Sequence, residues 1–270
     1  MLSCLPISLY PDIISGKMPL KDWSVLAADC GLDAFDISIL FVRDRTEKGL
    51  SAMRKDLEAG GLPLATVAIY SDFTTPDPLG LEFELAQAKA DVHVASRLGA
   101  SFIRMTAGQF YPDYCEEKQF DQVVRAFSEM ADFAAKRNIT LLWENHSTPG
   151  AWSHPDFDFN RERLLRLFDL LKGGPVRMNY DTANAKILGF GDEFLEQCYP
   201  DISSIHVNDV VIEGTHRFVG IGDGIADVAG TVRWLRKRGY DGLYSIEESA
   251  WQGAEGVRHY VSVVRKMLEE

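Results

Sequence analysis

Short apolar runs alternate with amphipathic stretches along the whole chain, and the change of period between them is the first structural signal. A two-residue alternation predicts strands over Cys4 to Tyr10, Asp33 to Ile39, Leu62 to Tyr70, Ser101 to Thr106, Ile139 to Glu144, Val176 to Asp181, Ile202 to Asn208 and Gly242 to Glu247. A helical period predicts Pro19 to Cys30, Glu47 to Ala59, Leu81 to Leu98, Glu116 to Arg137, Arg161 to Leu171, Asp192 to Cys198, Val228 to Arg238 and Ala254 to Leu268. Gly31, Gly60, Gly99 and Gly239 stand where a left-handed residue would end a helix. Strand followed by helix, repeated to the end, predicts an α/β fold: a (β/α)8 TIM barrel in a single domain over 1–270.

In such a barrel, odd and even positions of each strand face opposite sides. One set is apolar and is expected against the helices: Leu5, Ile7 and Leu9; Phe35, Ile37 and Ile39; Ala65, Val67 and Ile69; Leu141 and Trp143; Tyr244 and Ile246. The other is expected on the axis: Ser8 and Tyr10; Asp36 and Ser38; Ala68 and Tyr70; Arg104 and Thr106; Leu142 and Glu144; Asn179 and Asp181; His206 and Asn208; Ser245 and Glu247. This axial set grows more polar toward the C-terminal strand ends, where barrels of this kind carry their active sites. Pro6 is the misfit, because proline cannot donate to a ladder. The longest non-helical connections, Ser71 to Gly80, Gly108 to Cys115, Ser147 to Phe159 and Asp209 to Ala226, would gather over the same mouth and cover a pocket.

Composition narrows the function classes. The 270 residues suit one barrel, 46% are hydrophobic and 25% charged, and no apolar run approaches the roughly 18 residues of a membrane span. The start, MLSCLPISLYPD, lacks a basic region followed by a long apolar one, so a cytoplasmic enzyme is expected, with no membrane partner. Cys4, Cys30, Cys115 and Cys198 have no paired spacing, which argues against a disulfide framework or a cysteine-zinc cluster. A formal charge of −12 without a basic block argues against nucleic acid. A homo-oligomer remains compatible with the composition.

The chemistry concentrates at four strand tips. ITLLWENH ends on Glu144, VRMNYD on Asp181, ISSIHVND carries His206 and GLYSIEES carries Glu247. Each residue alone is more often a cap, an ion-pair partner or a bonded core side chain. Three carboxylates and an imidazole converging at one mouth would repel one another and lose solvation unless a cation compensated them. Oxygen-rich ligation with one nitrogen favours one divalent cation of the Mn²⁺, Mg²⁺ or Co²⁺ type, with Zn²⁺ compatible.

These motifs, in their order and spacing, resemble the sugar phosphate isomerase/epimerase superfamily, the xylose-isomerase-like barrels that include ketose 3-epimerases, hydroxypyruvate isomerases and inosose or dehydroshikimate dehydratases. CGLDAFDIS is similar to the family's second strand, WENH to the fifth, NYDTANA to the sixth, IHVNDV to the seventh and GYDGLYSIEES to the eighth. The resemblance puts the metal on Glu144, Asp181, His206 and Glu247, and gives Glu144 and Glu247 the proton transfers, one on each face of the substrate. It implies an isomerase or epimerase of a keto sugar or small hydroxy-ketone, working through a metal-stabilised enediolate. The alternative is a dehydratase of a cyclic polyol ketone. An apurinic endonuclease fits less well, since a three-zinc site needs histidines this chain lacks.

The departures are specific. Asp36 replaces the second strand's usual Glu, Asn184 the frequent His after Asp181, and Asn208 the lysine common after His206. Substrate contacts are expected from His146, beside the metal site, from Asn184, and from Arg217, whose fork could clamp a carboxylate or phosphate or else pair with Asp223 or Glu213. Arg104 points inward, where Asp36 offers it a structural partner. Gly220, Gly222 and Gly224 suit a turn better than a phosphate cradle, and Trp152 and Trp251 lie in mouth loops where they could stack on a sugar ring.

Overall fold

In a computed structural model, which describes residues 1–147 and 152–270, every predicted strand is present; seven are shortened at their ends, and the first is displaced toward the N-terminus, starting at Leu2 instead of Cys4. They are β1 (Leu2–Leu5), β2 (Phe35–Ser38), β3 (Leu64–Ala68), β4 (Phe102–Met105), β5 (Thr140–Glu144), β6 (Arg177–Asp181), β7 (Ile202–Val207) and, after two further short strands, β10 (Leu243–Glu247). All eight pair in parallel in the order β1-β10-β7-β6-β5-β4-β3-β2. The ring closes between β1 and β2, where the Leu2 carbonyl accepts the N–H groups of Asp33 at 2.9 Å and Ala34 at 3.2 Å. The chain is thus a (β/α)8 barrel.

Pro6 ends β1 five residues earlier than the alternation predicts, and the chain turns into a 3₁₀ segment, Ile7–Leu9, and a short helix, Tyr10–Ser15. The inward parity of β1 therefore belongs to Ser3, bonded to Asp36, and to Leu5, in register with Glu247; Leu5 does not face the helices as its apolar character suggested. Arg161–Leu171 and Asp192–Cys198 form as predicted, while Thr182–Ile187 is an additional helix. Gly31, Gly99 and Gly239 take the left-handed conformation, but after the second predicted helix that role passes to Gly61 (φ +72°), because Gly60 is already spent in a 3₁₀ turn.

The barrel interior is layered. Ala34, Ala65, Phe102 and Leu243 close the floor. Above them Asp36 accepts the hydroxyls of Ser3 and Ser245, each at 2.6 Å, and the N–H of Thr66 at 2.9 Å, so one carboxylate joins β1, β2, β3 and β10. The polar mouth lies above this layer.

The connection Asp209 to Ala226 is not irregular. It contains an antiparallel hairpin, β8 (Asp209–Glu213) and β9 (Thr215–Val219), whose base is held by a single side chain. Asp209 accepts the N–H groups of Val210 at 2.8 Å and of Gly222, Gly224 and Ala226 at 3.0 Å each. The glycine-rich turn does cradle an anion, and the anion is the protein's own carboxylate. Gly224 is required by closeness: a Cβ there would lie 2.2 Å from Asp209 Oδ1.

Candidate metal centre and active site

β5, β6, β7 and β10 lift Glu144, Asp181, His206 and Glu247 to the mouth by their strand parity, and the four side chains converge. His206 Nδ1 lies 3.3 Å from Glu144 Oε2, 3.8 Å from Glu247 Oε1 and 3.9 Å from Asp181 Oδ2. Glu144, His206 and Glu247 each offer a ligand atom within 4.8 Å of the others. Asp181 joins them with one oxygen only. Its Oδ1 accepts the Asn184 N–H at 2.6 Å and caps the helix Thr182–Ile187, which leaves Oδ2 for the cluster.

Each member is oriented by a neighbour. Asn179 donates to Glu144 Oε2 at 3.1 Å, Asn208 donates to Glu247 Oε2 at 2.7 Å, and the Asn145 amide clasps the Asp181 backbone at 2.8 and 3.0 Å. Glu144 Oε1, Asp181 Oδ2 and His206 Nδ1 nevertheless have no hydrogen-bond partner, although all are buried. Buried oxygens and a ring nitrogen left without partners, all meeting at one point, fit a divalent cation. The electrostatics agree. Burial, Glu247 and Glu144 push the Asp181 carboxyl well up, and the carboxylates, above all Glu144, outweigh the burial of His206 and push it up to about 9. Those retained protons compensate negative charge in the way a cation would.

Arg104 corrects the sequence reading. Its partner is not Asp36, which is saturated one layer below, but Glu144, with Nε 3.1 Å from Oε2 and both side chains fully buried. Burial would raise the Glu144 carboxyl, yet His206 and Arg104 hold it well below the usual carboxylate range.

His146 sits on the rim of this cluster. Its Nδ1 is 2.7 Å from Asp156 Oδ2, its ring meets Tyr70 edge-on at 6.2 Å, and Asp156 raises it to about 9 against the effect of burial. Asn184 is buried with its side-chain Oδ1 unpartnered. Arg217 is exposed on β9 opposite Val211 and stands outside the cluster; among the described residues it pairs with neither Asp223 nor Glu213. Trp143 faces outward, with its Nε1 donating to Asp158 at 2.8 Å. Trp251 is 67% exposed in the loop after β10, so packing does not account for it. The connection Ser147 to Phe159 is described at Ser147 and again from Trp152 on; 148–151 lie outside the described residues.

Sequence reasoning missed Tyr70, Asp156, Asn145 and Asn179. Only the inward parity of Tyr70 and Asn179 signalled them. Among the described residues, a groove of about 440 Å³ between Ile13, Phe41 and Met53 contains no buried polar atom without a hydrogen-bond partner, unlike the mouth.

An eight-stranded α/β barrel whose strand tips bring together two glutamates, an aspartate and a histidine defines a class of barrel with a candidate metal centre at its C-terminal face. The chain belongs to the xylose isomerase-like TIM barrel family, whose sequence pattern matches residues 25–267. Among solved structures it is similar to the IOLI protein with a bound zinc atom (TM-score 0.79, 15% identity, 99% of this chain and 98% of that one). It is similar also to a D-allulose 3-epimerase from Methylomonas sp. (0.75, 16%, 99% and 97%). A third is the probable 3-DHS dehydratase AsbF from Bacillus anthracis (0.70, 15%, 98% and 98%). At these identities the likeness is one of fold. No curated protein matches the chain in sequence. No helix among the described residues is long and apolar enough to cross a membrane.

Proposed function

We propose that this protein is a divalent-metal-dependent isomerase or epimerase of a keto sugar or small hydroxy-ketone. The reading rests on one observation: Glu144 Oε1, Asp181 Oδ2 and His206 Nδ1 are buried, unpartnered and directed to the place that Glu247 also reaches. A cation of the Mn²⁺, Mg²⁺ or Co²⁺ type held there, with Zn²⁺ compatible, would supply Lewis-acid stabilisation of charge on the substrate oxygens.

The proton transfers belong to the chain's own carboxylates. Glu247 has one oxygen fixed by Asn208 and, among the described residues, no arginine in ion-pair contact, which suits it to remove the proton from the hydroxyl-bearing carbon beside the carbonyl and leave an enediolate. Glu144, on the other side of His206 and held ionised by His206 and Arg104, takes up a proton from water and delivers it to the opposite face. His146, held by Asp156, and Asn184 contact the substrate hydroxyls. The same first step, on a cyclic polyol ketone such as an inosose or dehydroshikimate, begins loss of water. Arg104 beside Glu144 supports keeping this lyase alternative, because it could hold an acidic ring substrate.

Incubating the Mn²⁺-loaded protein in deuterated water with ketoses, inososes and hydroxy-ketones tests the proposal. Deuterium uptake at the carbon beside the carbonyl, with an isomer as product, supports it. Elimination of water supports the lyase. No exchange with any member of the panel, metal in place, sinks both.

A further inference from the structure

Arg104 is among the largest fully buried side chains of the protein, and the ligand set leaves most of it unaccounted for. It leaves β4 level with Ala68 of β3 and Leu142 of β5. Its guanidinium reaches Tyr70, with Cζ 4.9 Å from the ring centroid, and Glu144, each two residues further along the chain toward the mouth. The side chain therefore points up the barrel axis. Nε is 3.1 Å from Glu144 Oε2 but off the line a hydrogen bond requires, and among the described residues Nη1 and Nη2 have no partner at all. Tyr10, whose buried hydroxyl has no hydrogen-bond partner among the described residues, lies near enough to Tyr70, Arg104 and Glu247 for their charges to act on it.

Buried donors without acceptors are rare and costly. Tyr70 stabilises the cation through its ring face but accepts none of its N–H groups. Asp36 is already occupied by Ser3, Ser245 and Thr66. What the free edge lacks is a pair of adjacent oxygens, the shape that a guanidinium fork matches and a lone hydroxyl does not. We propose that Arg104, with Tyr70 under it and Tyr10 beside it, is a carboxylate subsite adjoining the metal ligands, and that the substrate is an acidic hydroxy-ketone. The inference rests on the functional reading above. Nη1 and Nη2 take the carboxylate, and the hydroxy-ketone end lies toward Glu144 and Glu247. A neutral ketose would leave the fork half bonded.

The test is calorimetric titration of the Mn²⁺-loaded protein with glycerate and, as the neutral control, glycerol. The wild type should bind glycerate at least tenfold more tightly. Arg104→Lys, which keeps the charge and removes the fork, should weaken glycerate tenfold or more, leave glycerol within twofold and leave the metal content unchanged. Equal glycerate affinity in the variant would mean that the metal alone holds the carboxylate, and would overturn the proposal; so would a wild type without preference. If Arg104→Lys does not fold, Tyr10→Phe decides, with a threefold or greater loss for glycerate alone as the supporting result and no loss as the refuting one. Metal analysis separates the two layers. A wild type that takes up no cation refutes the functional reading, whereas glycerate binding to the metal-free protein, lost in Arg104→Lys, would still uphold the subsite.

Discussion

We read Asp181 as having two jobs, one for each of its oxygens. Oδ1 caps the helix Thr182–Ile187 through the Asn184 N–H at 2.6 Å, while Oδ2 is buried, unpartnered and 3.9 Å from His206 Nδ1. Asp181→Asn keeps an oxygen for the cap and puts an NH₂ where the ligand oxygen was. Asp181→Ala removes both. The metal-free Asn variant should therefore be as stable as wild type or slightly more so, because burial and the neighbouring glutamates already disfavour the charged carboxylate. The Ala variant should lose about 1 kcal/mol for the cap alone. Metal tells the rest. At a Mn²⁺ concentration about 100 times its Kd, binding to the native state stabilises by about 2.7 kcal/mol. For a chain of this size that is roughly 5–11 °C in Tm. Thermal unfolding with Mn²⁺ and with EDTA should show that increment in wild type and neither variant should show it at the same concentration. If Asp181→Asn gains the full increment, Asp181 is a cap and nothing more, and the four-ligand centre is wrong.

Three other outcomes follow from the geometry. Glu247→Gln keeps an acceptor for Asn208 and should fold normally and retain part of its metal affinity, but turnover should fall about 10²- to 10⁴-fold, measured with metal content verified in the same sample. Asp156→Asn should lower kcat roughly 10- to 100-fold without loss of metal, because His146 loses the carboxylate 2.7 Å away that fixes its ring; steady-state kinetics on the metal-loaded variant checks this. Gly224→Ala places a methyl 2.2 Å from Asp209 Oδ1 and 2.5 Å from the Val210 carbonyl, so the variant should lose about 1–3 kcal/mol in a denaturant titration, and unchanged stability would refute the role given to Asp209.

The strands and the convergence of Glu144, Asp181, His206 and Glu247 are legible in the sequence because both depend on local period: alternation defines a strand, and parity with strand direction sends its last polar residue to the mouth. Legibility stops where a contact depends on the stagger between strands. Arg104 and Asp36 share the inward face, but the shear of the barrel carries Arg104 up to Glu144 and ties Asp36 to Ser3 and Ser245 below. Pro6 was visible as a misfit; that it moves the inward parity of β1 onto Leu5 was not. The hairpin β8–β9 stayed hidden because its anchor, Asp209, acts through backbone N–H groups up to seventeen residues away, which no side-chain pattern records.

The seam between β1 and β2 gives the barrel a hinge line. Every other neighbouring pair is bonded along a ladder, whereas here the joint is Leu2, whose carbonyl accepts from Asp33 and Ala34 and whose N–H donates to the Asp33 carboxylate, together with the carboxylate of Asp36. Opening it breaks few bonds, so the amides of Asp33 and Ala34, which form that joint, should exchange with solvent sooner than those of β6 and β7 on the far side of the ring. Because Glu247 rides on β10, which β1 flanks, slow breathing of this seam would reach one of the two proposed proton-transfer groups and leave the other, on β5, in place.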